Sequence, residues 1–200
     1  MARFFDPWTG INFKPGDGLL VISESAYCWQ TNGHVECPQP DHPSGNTVNH
    51  WAIEHFEERG SEGRYAASVT RALCGVINPS RQERIAAWSQ VAYSIYVQDA
   101  MPNQHARPTN VDMQNASRPF LDLLEELRPA RVLVTSLTAW GAMPLTYLQP
   151  TDYLQAYRLE DGQLSWCQAV RHPRVNSWKN LAREISELRS LDLEKLVHSS

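Results

Sequence analysis

Residues 18–27 read GLLVISESAY. Leu19, Leu20, Val21 and Ile22 form an unbroken apolar run that stops at a small polar turn carrying one carboxylate, Glu24. A short apolar run without alternation reads as a strand buried on both faces, as in parallel sheets. In open α/β sheets, ligands bind in crevices past the carboxyl ends of such strands. Glu24, Ser25 and Tyr27 stand at that position. Far downstream, the apolar residues 166–170 run out into Arg171, His172 and Pro173. One strand end offers a carboxylate and the other a histidine, and this pair is the candidate chemistry.

The chain of 200 residues is 42% hydrophobic, which suits one domain with a sizeable core. Its net charge of −4 means that nucleic-acid binding requires a local basic patch rather than a global field. No apolar stretch reaches the roughly 18 residues of a membrane span. Residues 1–10, MARFFDPWTG, lack the apolar core of a signal peptide. The expectation is a cytoplasmic protein with no membrane partner. The cysteines, Cys28, Cys37, Cys74 and Cys167, show no C-x-x-C spacing. In an unsecreted chain they read as free thiols rather than as a disulfide framework. Cys28, His34, Cys37 and His42 fit no common zinc spacing, so no metal is expected.

Strand and helix signals alternate along the rest of the chain. Residues 28–50 are dense in Pro, Gly, Asn and His and read as a long loop of the functional kind. Helical signals follow over residues 51–59 and 64–76, and Ser80 with Glu83 makes a capping box opening a third helix through Ala87. Residues 91–97 read as a second strand, residues 131–136 as a third, and a long helix precedes the third, ending near Arg128. A short helix through Met143 comes next. Residues 153–170 read as a hairpin turning at Glu160, Asp161 and Gly162. Asn176 or Ser177 caps a closing helix to about Leu188, and residues 189–200 form a polar tail. The pattern is that of a single α/β domain over residues 1–200, with a mainly parallel sheet.

Several of these segments, taken in order, resemble the uracil-DNA glycosylase superfamily, and most nearly its bacterial glycosylase-like branch. They are SESAY at 23–27, AYSIYVQ at 92–98, the long helix leading into RPARVLV at 128–134, residues 137–140, and HPRVNSW at 172–178. The resemblance implies a three-layer α/β/α sandwich around a four-stranded, mainly parallel sheet, with the active site across the strand carboxyl ends. It implies that Glu24, Ser25 and Tyr27 lie on the loop that positions and activates water. It also implies that His172 faces the target base and that residues 173–176 intrude on DNA. Ser25 stands where uracil-excising relatives often place Asp or Asn. Ser94 and Ile95 occupy the neighbourhood of a base-reading asparagine. The cysteine spacing does not match the iron–sulfur branch, so no cofactor is implied.

N-glycosidic cleavage passes through an oxocarbenium-like transition state, with negative charge growing on the departing base. A donor aimed at that anion, such as a His172 ring N–H, contributes ~3 kcal/mol. Glu24 orients water and offsets the cationic sugar. A base taken out of the stack needs aromatic walls, for which Tyr27, Trp29, Trp51 and Trp140 are candidates, with Ser94 and Asn176 in contact with substrate. The small residues Ser25, Ala26 and Ser94 point to room for a bulky modified base. Arg171, Arg174 and Lys179 form the candidate phosphate clamp. The only lysines are Lys14, Lys179 and Lys195, none expected at the sugar, so water rather than an amine is the nucleophile. These features suggest a monomeric, monofunctional DNA glycosylase that flips a damaged or modified, phage-type base and leaves an abasic site, in base-excision repair or anti-phage defence. The alternative is a non-catalytic nucleic-acid or nucleotide-binding module on the same fold. The plainer readings are a solvated carboxylate, a turn histidine and tryptophans that fill the core.

Overall fold

The run 19–22 is buried because it lies in mid-sheet with helices on both faces. The computed structural model describes residues 5–31, 34–36, 48–59, 64–103 and 105–192. The chain opens with β1 (Trp8–Thr9), β2 (Leu19–Ser23) and β3 (Ala26–Tyr27), followed by a small hairpin of β4 (Trp29–Thr31) and β5 (His34–Glu36). Three helices come next: α1 (Val48–Arg59), α2 (Arg64–Cys74) and α3 (Arg81–Trp88). Then come β6 (Val91–Ile95), β7 (Ala100–Met101), α4 (Asn110–Asn115), α5 (Ser117–Leu127), β8 (Arg131–Val134) and α6 (Leu137–Gly141). The chain closes with β9 (Leu148–Thr151), β10 (Leu154–Arg158), β11 (Leu164–Ala169) and α7 (Trp178–Ser190).

The main sheet has seven strands in the order β1-β6-β2-β8-β11-β10-β9. This corrects the four-stranded expectation. β6, β2, β8 and β11 are parallel neighbours, while β1 pairs antiparallel with β6 at one edge, and at the other β10 pairs antiparallel with both β11 and β9. The inner strands are buried on both faces and so leave apolar runs in the sequence. β9 is half-exposed and contains Pro150, which belongs on an edge and hides the strand from a pattern reading. The parallel register aligns Ile22 with Val134 and with Ser94, and Val134 with Ala169. The residues just past these positions therefore come out along one edge of the sheet.

Alternation sorts the side chains between the faces. Leu20, Ile22, Ala92, Val132 and Val134 pack with Phe120, Leu123, Leu124 and Leu127 of α5. Leu19, Val21, Tyr93 and Leu133 pack with Ile53 of α1, Val69 of α2, Trp88, and Leu181, Ile185 and Leu188 of α7. Each fully buried large side chain contributes about 1.5–3 kcal/mol. Gly10, next to β1, admits no side chain, because a Cβ there would meet the Ser89 carbonyl oxygen at 2.2 Å.

Local signals fare unevenly. The Ser80–Glu83 capping box opens α3 as expected, and Ser177 rather than Asn176 caps α7. The helix before β8 is two helices: a Thr109–Asp112 capping box opens α4, and α5 ends at Arg128 in the left-handed region (φ 49°). α2 stops at Cys74, short of Val76, and α7 runs to Ser190, past the expected start of the polar tail. Residues 28–50 are not loop throughout, since they include β4, β5 and the start of α1; residues 32–33 and 37–47 lie outside the described residues. The free-thiol reading holds for Cys74 and Cys167 but fails at Cys28, which is disulfide-bonded. Cys28 directly precedes β4, whose register pairs Trp29 with Glu36, and the next residue, Cys37, lies outside the described residues. Cysteine spacing by itself does not reveal which thiols are paired. Among the described residues, no helix is long and apolar enough to cross a membrane.

Candidate active site at the carboxyl edge of the sheet

Glu24 follows β2 while the β2–β6 ladder continues past it. Tyr96 N–H donates to the Ser23 carbonyl at 2.9 Å and Val97 N–H to the Glu24 carbonyl at 3.0 Å. One carboxylate oxygen, Oε2, accepts a hydrogen bond from Ser136 Oγ at 2.5 Å. Ser136 is 3% exposed and caps α6 by accepting from the Ala139 N–H. The carboxylate is therefore held by a buried side chain whose own position is fixed by a helix start.

His172 leaves the sheet after β11, where Val170 N–H still donates to the Val134 carbonyl. Its carbonyl then accepts from Val175 and Asn176 N–H, which closes a turn over residues 173–176. Arg174 N–H donates to His172 Nδ1 at 3.2 Å. With Nδ1 accepting, the neutral ring carries its proton on Nε2 and offers it as a donor. Burial is the largest cause holding His172 below the ordinary imidazole value; Arg174 and Arg107 push the same way, and Glu24 opposes them. The charge of Glu24 acts on His172, so the two strand ends lie near enough to one another to interact.

The other expected site residues divide. Ser25 Oγ is buried with no hydrogen-bond partner among the described residues, so no base activates it. Tyr27 is half-buried on β3, and Arg107 Nη1 lies 3.4 Å from its hydroxyl. Ser94 is fully buried, its Oγ equally without a partner among the described residues, and alternation along β6 puts it on the α5 side with Ala92 and Tyr96. Trp140 is half-buried on α6 and donates its indole N–H to the Asp152 carbonyl, tying α6 to the β9–β10 turn. Trp29 and Trp51 lie on β4 and α1, and their side chains fall outside the described residues. Asn176 Nδ2 donates to Glu184 Oε2 at 2.9 Å, an acid that burial raises. Arg171, Arg174 and Lys179 are exposed around the turn, with Val175, 80% exposed, at its apex.

Sequence reasoning missed Ser136, Arg107 and Tyr65. Ser136 had a legible signal, a serine capping the short helix after the third strand. Arg107 and Tyr65 had none, since each reaches the site through tertiary packing. Tyr65 of α2 sets its ring 5.4 Å from the His172 imidazole, between centroids. No group of three or more His, Cys, Asp or Glu side chains placed to hold a metal occurs among the described residues.

No family model matches the chain, and no curated protein matches it.

Proposed function

We propose that this carboxyl edge of the sheet is the active site of a monofunctional DNA glycosylase, acting on a damaged or modified base that has been flipped out of DNA. The observation that carries this reading is that Glu24, bonded to Ser136, is near enough to His172 to act on it through its charge, while His172 Nδ1 accepts from Arg174 N–H and so leaves Nε2 as the donor of the neutral ring. In this mechanism Glu24, held through Oε2, orients a water at the sugar C1′ and takes its proton as the C–N bond breaks. The base leaves with the bonding electron pair, and the His172 Nε2–H donates a hydrogen bond to the negative charge that develops on it. Ser25 is not the base in this mechanism, and its hydroxyl has no partner among the described residues.

The exposed turn supports DNA as the partner. Val175 stands out next to Arg174, with Arg171 before it and Lys179 after it in the chain, so an apolar tip with cations nearby is available to intrude between bases while the cations meet phosphate. Arg107, beside the Tyr27 hydroxyl, adds a cation near His172. The four parallel inner strands suit the likeness to the uracil-DNA glycosylase superfamily, and a cytoplasmic monomer working in repair or anti-phage defence remains part of the proposal. A binding module without catalysis is the second reading. It is favoured by the burial of Ser94 on the α5 side, which leaves the strand-two position without a polar group that reads a base.

The test is a set of duplex and single-stranded oligonucleotides carrying different modified bases, incubated with protein and then with alkali. The glycosylase reading predicts strand breaks at one class of base only after alkali, and no covalent adduct on borohydride treatment. Tight binding without abasic sites across the set would favour the module. A trapped adduct would replace water with an amine nucleophile.

A further inference from the structure

Beside the candidate site, four hydroxyls form a connected row in which Ser23 reaches both tyrosines. Ser23 Oγ, at the end of β2, lies 2.9 Å from Tyr93 Oη of β6. Tyr93 hydrogen-bonds Tyr65 of α2. Tyr65 Oη lies 3.1 Å from Thr135 Oγ1, just past β8. Thr135 Oγ1 donates to the Ile22 carbonyl at 2.8 Å. The Thr135 hydroxyl has one hydrogen and gives it to the carbonyl, so its oxygen accepts from Tyr65. Tyr65 also hydrogen-bonds Ser23 as well as Tyr93, so its hydroxyl is held from three sides. Burial pushes both phenols up, Tyr93 to about 12, so the row stays protonated at any working pH.

Tyr65 is the member of the row that touches the site. Its ring lies against the His172 imidazole at an interplanar angle of 48°. One end of the side chain is fixed by α2 and the other by the hydroxyl row. His172, by contrast, sits on a turn whose Arg174 and Val175 are exposed. We infer that Tyr65 is a positioning residue: its ring, pinned by the buried hydroxyls, sets the plane of the His172 imidazole and so the direction in which Nε2–H donates. The charged and titratable groups facing His172 are Glu24 from β2, Arg107 from the segment before α4, Arg174 from its own turn, and Tyr65 itself. That the donated hydrogen bond acts on a departing base rests on the proposed function. That Tyr65 holds the ring does not.

The experiment is NMR on the full chain with labelled histidine, on wild type, Tyr65→Phe and Tyr65→Leu, beside kinetics on whichever base wild type releases. In wild type the His172 ring protons show NOEs to the Tyr65 ring, are displaced by its ring current, and titrate below the ordinary imidazole value. In Tyr65→Leu the displacement disappears, the titration returns toward the ordinary value, and kcat falls on the order of 100-fold with KM little changed. Tyr65→Phe keeps the ring and the displacement and loses the pin, with kcat down roughly tenfold. Unchanged His172 resonances and titration in Tyr65→Leu would overturn the inference. If that variant does not fold, wild type decides: missing NOEs between the two rings would overturn it just as well. His172 behaving as expected in a protein that releases no base would retire the glycosylase reading and leave the positioning role standing.

Discussion

The two lips of the candidate site are built in opposite ways. Glu24 is held by the interior: its carbonyl stays in the β2–β6 ladder and its carboxylate is bonded to Ser136, 3% exposed at the start of α6. His172 stands at the base of a projecting turn, steadied from below by the Tyr65 ring, with Arg174 and the 80% exposed Val175 beyond it. A group that orients water gains from rigidity, because misplacement by ~1 Å can cost two orders of magnitude. A group that meets a large substrate has to protrude. In the proposed function, the contrast is between a lip that does chemistry from inside the fold and a lip that reaches the partner.

The largest effect tests whether both lips act in one reaction. Glu24→Gln and His172→Ala should each lower base release on the order of a hundredfold, while thermal melts stay near wild type. Wild-type rates in either variant would reduce that lip to scaffolding.

Next comes the outer lip alone. Replacing Arg171, Arg174 and Lys179 together should weaken binding to all DNA sequences alike, by roughly tenfold at low salt, and lower the salt slope by about one per lost contact. Titrations at several ionic strengths read this directly. A slope equal to wild type would make these residues ordinary surface charges.

The inner lip should respond differently. Ser136→Ala removes a helix cap and a hydrogen bond to a carboxylate, so stability should fall by about 1–2 kcal/mol and rate by roughly tenfold, with DNA affinity unchanged. Weakened DNA binding in this variant would erase the division between the lips.

The smallest effect concerns acid. Folded His172 binds its proton more weakly than an unfolded histidine does, mainly through burial. Between its lowered pKa and the ordinary 6.5, the unfolded chain therefore holds more protons. The contribution to stability is intact above that window and is lost as pH falls through it. Protonation at Nδ1 also breaks the Arg174 N–H contact. Melts at pH 7.5 and 5.5 should differ more in wild type than in His172→Gln. Equal differences would mean that the His172 ring titrates freely.

Legibility followed burial. The runs at 19–22 and 131–134 were readable as strands because both of their faces are covered, whereas β1 and β9 at the edges left no such signature. The capping box at Ser80 was readable because donor and acceptor are three residues apart. Glu24 and His172 were singled out because each follows an apolar run. Ser94 was placed correctly on its strand, but the side to which its hydroxyl points depends on the pleat, which a continuous apolar run such as VAYSIYV does not reveal.

By itself, the sequence determined what is local: which segments are buried strands, where capped helices begin, and which polar residues follow strand ends. Periodicity and capping act between residues a few positions apart, so they are written in neighbouring letters. Tertiary structure alone decided the seven-strand order, the Cys28 disulfide, the Ser136 bond to Glu24 and the Tyr65 ring under His172. The hydrogen bond from Ser136 joins residues 112 positions apart, and no local rule chooses its partner. Parallel register chooses it, because only when β2, β8 and β11 lie side by side do their ends share one edge.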